Sequence, residues 1–160
     1  MAATDSVQVT IRECQAVDLP DVFAVAQRSF RLPYSQDTLV TYLQRARGGF
    51  LVAEVEGKIA GFVVATSPVV TILGGRTGEI ALVAVDEPYR RAGIGRRLMR
   101  AGMELLRNRG MRWVRLHVET GNHAAISLYQ KLGFAVERVV PGYYRDGTDA
   151  FQMICCLEEV

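Results

Sequence analysis

The chain opens on an alternation: Val7, Val9 and Ile11 are apolar, while Gln8, Thr10 and Arg12 are polar. A period of two predicts a half-buried strand. Asp18, with Pro20 and Asp21 following, predicts the start of a helix whose apolar stripe is Val22, Phe23, Ala26 and Phe30. Leu32-Pro33-Tyr34 breaks that helix, and Ser35 caps a second, short one carrying Leu39, Val40 and Leu43, ended by Gly48-Gly49. A strand over Phe50 to Val55, a tight turn at Gly57-Lys58 and a returning strand over Ile59 to Thr66 follow. Ser67 to Thr77 reads as a flexible connection. Glu79 to Val85 reads as a nearly all-apolar, buried strand ending at Asp86-Glu87-Pro88. A long helix runs from Gly93 to Arg109 with Ile94, Leu98, Ala101, Leu105 and Leu106 inward, and Gly110 as its C-terminal cap. Val114, Leu116 and Val118 mark a strand, and Asn122 caps a helix through Leu132. Phe134 to Val140 and Ala150 to Leu157 are the last strands. The order is β-α-α-β-β-β-α-β-α-β-β, an α/β fold around a mixed sheet of about seven strands flanked by four helices.

Composition narrows the class. With 160 residues, 49% of them hydrophobic, and a net charge of +2, the chain is too apolar and too weakly charged to be disordered. The expectation is one domain over residues 1–160. No basic region precedes an apolar stretch at the N-terminus, and no apolar run reaches about 18 residues, so neither signal peptide nor membrane span is expected. Cys14, Cys155 and Cys156 lack metal-ligand spacing and read as reduced thiols of a cytoplasmic protein, with no metal. Of the 19 basic residues, all but Lys58 and Lys131 are arginine, the residue suited to bidentate contact with phosphate and carboxylate.

Five of those arginines, Arg90, Arg91, Arg96, Arg97 and Arg100, surround Ala92-Gly93-Ile94-Gly95 between the buried strand and the long helix. A strand–loop–helix start offers unpaired backbone N–H groups and the positive end of the helix dipole. Glycines there let a pyrophosphate approach the backbone. The same residues also fit a tight turn followed by a solvated basic face. The spacing is not that of a P-loop, which ends Gly-Lys-Ser/Thr, nor of a three-glycine dinucleotide site. Without an aromatic platform the arginines make a weak case for RNA, and no direct nucleic-acid binding is expected.

This loop resembles the acyl-CoA motif of the GNAT superfamily of acetyl-CoA-dependent N-acetyltransferases, Arg/Gln-x-x-Gly-x-Gly/Ala, through Arg90, Gly93 and Gly95. Asn122-His123-Ala124-Ala125-Ile126-Ser127-Leu128-Tyr129 through Gly133-Phe134 is similar to the family's second signature, and the element order fits the GNAT fold. Gly142-Tyr143-Tyr144-Arg145-Asp146-Gly147-Thr148-Asp149-Ala150-Phe151-Gln152-Met153 resembles the closing segment of protein N-terminal acetyltransferases, including bacterial ribosomal-protein alanine acetyltransferases and archaeal catalytic subunits. Leu32-Pro33-Tyr34 is similar to the substrate-side loop of that subgroup.

The resemblance implies acetyl-CoA as cosubstrate. Backbone groups of Val83, Ala84 and Val85 would line its pantetheine arm, with Val83 and Val85 pairing with it as one strand pairs with another. The loop Arg90, Arg91, Ala92, Gly93, Ile94, Gly95 and Arg96 would hold its pyrophosphate, and Asn122 and Tyr129 would contact it near the reactive end. Tyr143 and Tyr144 would line a peptide channel, with Leu32, Pro33 and Tyr34 on the opposing side. The implied partner is a protein or peptide N-terminus, and an association with the ribosome or a ribosomal protein is consistent with the subgroup.

The implied chemistry is direct attack of an amine on the thioester. An α-amino group has a pKa of about 7.7–8.0 against about 10.4 for lysine, so lysine needs roughly 3.4 kcal/mol more help from a base. Tyr129 is the candidate general acid for the leaving sulfur. His117 and Glu79 are the candidate bases, alone or through a water; each also fits a structural role, and Glu79 stands where related enzymes carry Tyr or His. Glu119, one residue past the strand core, is left out. Two other readings remain: an acetyltransferase for a small amine or a protein lysine, and a non-catalytic CoA-binding scaffold.

Overall fold

The computed structural model describes residues 8–67 and 76–157. Val7 and most of the connection after Ser67 lie outside them. Seven strands form one sheet in the order β1-β2-β3-β4-β5-β7-β6. They are β1 Val9–Glu13, β2 Phe50–Val55, β3 Lys58–Thr66, β4 Thr77–Val85, β5 Trp113–Glu119, β6 Ala135–Val140 and β7 Ala150–Cys156. Four helices join them: α1 Leu19–Ser29, α2 Gln36–Arg45, α3 Ile94–Asn108 and α4 His123–Lys131. The order is the one the hydrophobic pattern predicts, with ends shifted by one or two residues. Two compact units share these elements, one from the described residues of Met1–Val64 and Leu82–Ala101, the other from those of Ala65–Ala81 and Gly102–Val160.

In the first unit β1, β2 and β3 form an antiparallel meander. The β2–β3 turn is Glu56-Gly57, with φ of 50° and 77°, and Lys58 already pairs with Val55, so the turn lies one residue earlier than expected. Phe50 stacks on Phe62 at 5.8 Å, Phe30 at the end of α1 meets Phe62 edge-on at 6.3 Å, and Val22, Val25, Ala26 and Leu39 are the buried side chains of α1 and α2. Val25 replaces the half-exposed Phe23 and Phe30 in the stripe of α1. Ser35 caps α2 as expected, accepting from the Thr38 N–H at 3.2 Å. Asp18 does not cap α1 with its side chain. Its carboxylate binds the Arg12 guanidinium at 2.8 and 2.9 Å and accepts the Gln15 N–H at 2.8 Å. A cation and a backbone donor upstream outcompete the helix end, and Arg12 holds the Asp18 carboxyl below the usual carboxylate range.

Strand β4 corrects one expectation. Ile80, Leu82 and Ala84 are buried, but Ala81, Val83 and Val85 are only half-buried and Glu79 is exposed. An apolar run does not by itself reveal that only one face is covered. Gly61 of β3 sits against the covered face. A Cβ there would lie 2.6 Å from the Ala84 carbonyl oxygen and 3.2 Å from Leu98 of α3. In the second unit Gly78 plays the same part, since a Cβ would meet Leu106 of α3 at 2.8 Å. Strand β4 runs parallel to β5 over the pairs Thr77↔Trp113 to Glu79↔Arg115, and β7 lies antiparallel between β5 and β6. Asn122 caps α4 through the Ala125 N–H at 3.2 Å, and Gly110 and Gly133 follow α3 and α4 with φ of 87° and 103°. All three cysteines are unbridged, and burial pushes the Cys14 thiol up to about 12.

Gly61→Ala should lower stability by about 1–3 kcal/mol, because the obstacle is backbone and cannot rotate away; chemical denaturation measures it. Asp18→Asn should cost about 1.5–3 kcal/mol at pH 7, the worth of a hydrogen bond to a charged group. Because folding depresses the Asp18 pKa, its contribution is complete above the unfolded value near 3.9 and disappears as pH falls through the folded value. The gap between variant and wild type should therefore close below about pH 4.

Candidate active site

The expected site residues fall into two groups, each assembled within one unit. In the first unit, β4 ends at Asp86, which is buried and grips Arg28 of α1 with both oxygens at 3.0 and 2.8 Å. The Asp86 N–H donates to the Ala60 carbonyl at 2.8 Å, so the exit from β4 is pinned on two sides. Arg28 keeps the Asp86 carboxyl below the ordinary carboxylate range. After a short 3-10 turn over Glu87–Tyr89, Arg91 and Gly93 both adopt left-handed backbone, φ 66° and 79°. Such alternation around Ala92 makes the kind of backbone concavity that accepts anions. The Arg97 N–H closes the first turn of α3 on the Gly93 carbonyl at 3.1 Å. The N–H groups of Ile94, Gly95 and Arg96 therefore have no acceptor inside the helix. No atom stands within 4 Å of where a Gly93 Cβ would be.

The arginine cluster divides. Arg90 Nε turns back to the Val85 carbonyl at 2.9 Å, and Arg97 Nη2 reaches the Val9 carbonyl at 3.1 Å. Arg91, Arg96 and Arg100 are exposed. Val83 and Val85 lie on the open face of β4, whereas the Ala84 side chain is buried and only its backbone could serve a ligand. Leu32, Pro33 and Tyr34 connect α1 to α2 and are half-buried, with Tyr34 edge-on to Phe30 at 5.2 Å.

The second unit brings Glu79, His117 and Tyr143 together. Leu116 and Val118 face inward and His117 faces the other way, as strand alternation requires. His117 Nδ1 lies 4.0 Å from Glu79 Oε1 and, though buried, makes no hydrogen bond. Its ring stacks on Tyr143 at 4.3 Å with an interplanar angle of 10°. Tyr143 packs edge-on against Tyr144 at 4.9 Å. Their loop is held by the Asp149 carboxylate, which accepts the Gly142 N–H at 2.9 Å, and by a turn in which the Gly147 N–H donates to Tyr144. Glu119 belongs to β5 after all, pairs with Ala150 and shares the side of the strand that carries His117.

Tyr129 lies on α4, 8% exposed, beside Phe134 at 6.0 Å. Burial pushes its phenol up to about 12, so it stays protonated across the physiological range. The Asn122 side-chain oxygen is committed to the start of this same helix.

Two residues absent from the expectations complete the His117 environment. Gln152 of β7 lies directly opposite His117, and its Oε1 is 3.1 Å from His117 Nε2. Its amide nitrogen donates to Glu137 Oε2 at 2.7 Å. Glu137 falls at a bulge in β6, between the pairs Val136↔Met153 and Arg138↔Gln152, and also binds Arg115 Nε at 3.2 Å. Hydrogen bonds from Gln152 and then Arg115 hold the Glu137 carboxyl below its usual range. The available signal was a glutamine inside the apolar run Ala150–Cys156; the bulge left none. Among the described residues no three His, Cys, Asp or Glu side chains gather as a metal would require, and no helix is long and apolar enough to cross a membrane.

Known proteins share this architecture. Residues 19–134 match the acetyltransferase (GNAT) family. An N-alpha-acetyltransferase of Sulfurisphaera tokodaii is 31% identical over 152 residues, covering 89% of this chain and 90% of its own. The [ribosomal protein bS18]-alanine N-acetyltransferase of Escherichia coli K12 is 31% identical over 135 residues, 84% and 86% of the two chains. The crystal structure of Ard1 from Thermoplasma volcanium superposes with a TM-score of 0.88 at 35% identity, over 96% of this chain and all of the other. With a family match across most of its length, the same order of strands and helices and a left-handed glycine loop at the head of α3, the chain belongs to the GNAT acetyltransferase family.

Proposed function

We propose that this protein transfers the acetyl group of acetyl-CoA to the α-amine of a protein or peptide, by direct attack in a ternary complex. The observation that carries the reading is the pair of acceptors at Glu79 and His117. Glu79 is half-exposed and His117 Nδ1 lies behind it, 4.0 Å away, with no hydrogen bond of its own. A site of this kind takes one proton from an amine that is already partly neutral at pH 7, which suits an α-amine better than a lysine. Similarity to relatives named for N-alpha and ribosomal-protein alanine acetylation supports the same substrate class, with a ribosomal protein as one such substrate. Three unbridged cysteines fit a reducing, cytoplasmic setting.

The amine nitrogen bonds to the thioester carbon and the C–S bond breaks. The amine proton passes to Glu79, which moves about 1 Å or uses one water to share it with His117, since 4.0 Å is too long for a direct bond. Tyr129 donates to the departing sulfur. A phenol near 12 is a weak acid toward an ordinary thiolate near 8.5. Burial raises the thiolate's proton affinity too, so the gap narrows inside the site. The backbone at Arg91, Ala92, Gly93, Ile94, Gly95 and Arg96 takes the pyrophosphate, and the open face at Val83 and Val85 takes the pantetheine arm. For the Val85 carbonyl this requires Arg90 Nε to let go, while Arg90 itself borders the loop. The Asn122 amide nitrogen contacts the cosubstrate while its oxygen caps α4. Tyr143 and Tyr144, and separately Leu32, Pro33 and Tyr34, contact the peptide.

Incubation with acetyl-CoA and peptides differing in their first two residues, with free or blocked N-termini and with internal lysine, tests the reading by mass spectrometry. Acetylation confined to free α-amines is expected; lysine acetylation alone, or CoA binding without transfer, would refute it. Tyr129→Phe keeps the ring packing and should lower kcat roughly a hundredfold with the acetyl-CoA dissociation constant unchanged. Gly93→Val should raise that constant at least about tenfold, about 1.4 kcal/mol, by filling open space and straining a left-handed position; calorimetric titration with CoA reports it.

A further inference from the structure

We propose that Gln152 is a positioning residue for His117: its side-chain oxygen holds the Nε2 proton and so leaves the Nδ1 lone pair turned toward Glu79. This rests on the reading of Glu79 and His117 as the proton acceptor for the substrate amine.

A neutral imidazole carries one proton, and its position depends on the partners of the two nitrogens. The partner of Nε2 is itself fixed in orientation. Gln152 gives its NH2 to the Glu137 carboxylate at 2.7 Å, and a carboxylate can only accept. Flipping the amide would set oxygen against oxygen at that distance. The oxygen therefore faces His117, where it also receives Arg138 Nη2 at 3.5 Å. An oxygen can only accept, so Nε2 is the donor. Nδ1 is left as a bare acceptor opposite a second acceptor, Glu79 Oε1. One proton delivered between them is welcomed by both.

Sequence and topology make the arrangement. Gln152 sits opposite His117 on one side and Arg138 on the other. The β6 bulge adds Glu137 to the same neighbourhood, where Arg115 clamps it at 3.2 Å. Without an acceptor at position 152, the proton would favour Nδ1, donating toward Glu79. The acceptor pair would then be filled before any amine arrives. The charged and titratable groups around the ring are Glu79 from β4, Arg115 and Glu119 from β5, Glu137 and Arg138 from β6, and the Tyr143 phenol stacked on its face.

The test labels the histidine ring nitrogens with 15N and reads the tautomer by long-range proton–nitrogen correlation at neutral pH. The chain has only two histidines, and the exposed His123 serves as internal reference. Wild type should show the proton on Nε2 of His117. Gln152→Met keeps the volume but removes the acceptor; it should move the proton toward Nδ1. Its kcat on a free N-terminal peptide should fall roughly tenfold to a hundredfold with both KM values unchanged. Gln152→Glu combined with Glu137→Gln exchanges the pair, so that the carboxylate at 152 accepts from both His117 and the amide at 137; this double variant should keep the proton on Nε2, recover turnover and move the acidic limb of the kcat profile to higher pH. Circular dichroism melts establish that both variants fold. A proton already on Nδ1 in wild type, or Gln152→Met with unchanged tautomer and kcat, overturns the proposal. A wild type that holds the proton on Nε2 but acetylates no α-amine overturns the proposed reaction, and the positioning role falls with it. Full turnover in Gln152→Met overturns the positioning role alone.

Discussion

Strand β4 can be packed as closely as it is only because two of its contacts involve glycine. Any side chain at position 61 would drive into the Ala84 carbonyl, and any at 78 would drive into Leu106. These two contacts press the covered face of the strand against its neighbours. The opposite face, with Glu79, Ala81, Val83 and Val85, is then left half-open. Everything proposed for the cosubstrate begins on that open face. The exit of the strand is fixed as firmly as its middle: Asp86 is tied to Arg28 through its side chain and to Ala60 through its backbone. Only after that anchor does the chain enter the strained turn at Arg91 and Gly93. A left-handed arginine is costly, and it persists where the surrounding structure over-determines the path.

The elements were legible because their hydrophobic periods are clean and their ends carry chemical stops. Ser35, Asn122, Gly110 and Gly133 each act at the position where the pattern puts them. What was not legible depends on competition between partners. Asp18 looks like a helix cap, but a cation six residues earlier binds it more strongly. Arg90 and Arg97, two members of the arginine cluster, each also donate from one nitrogen to a carbonyl of the chain itself, which their spacing does not foretell. A side chain's type predicts what it can bind; only three-dimensional proximity decides which partner it takes.

The candidate site shows the same division. His117, Glu79 and Tyr143 were identifiable from motif position and strand alternation, and all three meet in the second unit. Gln152 and Glu137 were not, because their relation to His117 runs through a cross-strand register and a bulge. A bulge shifts one residue against its partner strand and leaves no mark in the sequence. Glu119 lies inside β5, which is one residue longer than its apolar positions indicate.

The physical logic of the His117 cluster follows from counting donors and acceptors outward from Arg115. Arg115 can only donate, so Glu137 faces it as an acceptor. Glu137 can only accept, so the Gln152 nitrogen faces it. The Gln152 oxygen then faces His117, whose Nε2 must donate. Each step leaves no alternative for the next, and the last leaves Nδ1 and Glu79 as two acceptors with no proton between them. A hydrogen-bonded network that satisfies every member but one concentrates its unmet demand at a single point. In the proposed reaction that point is where an amine giving up a proton would be met, and the partners remote from it determine its polarity.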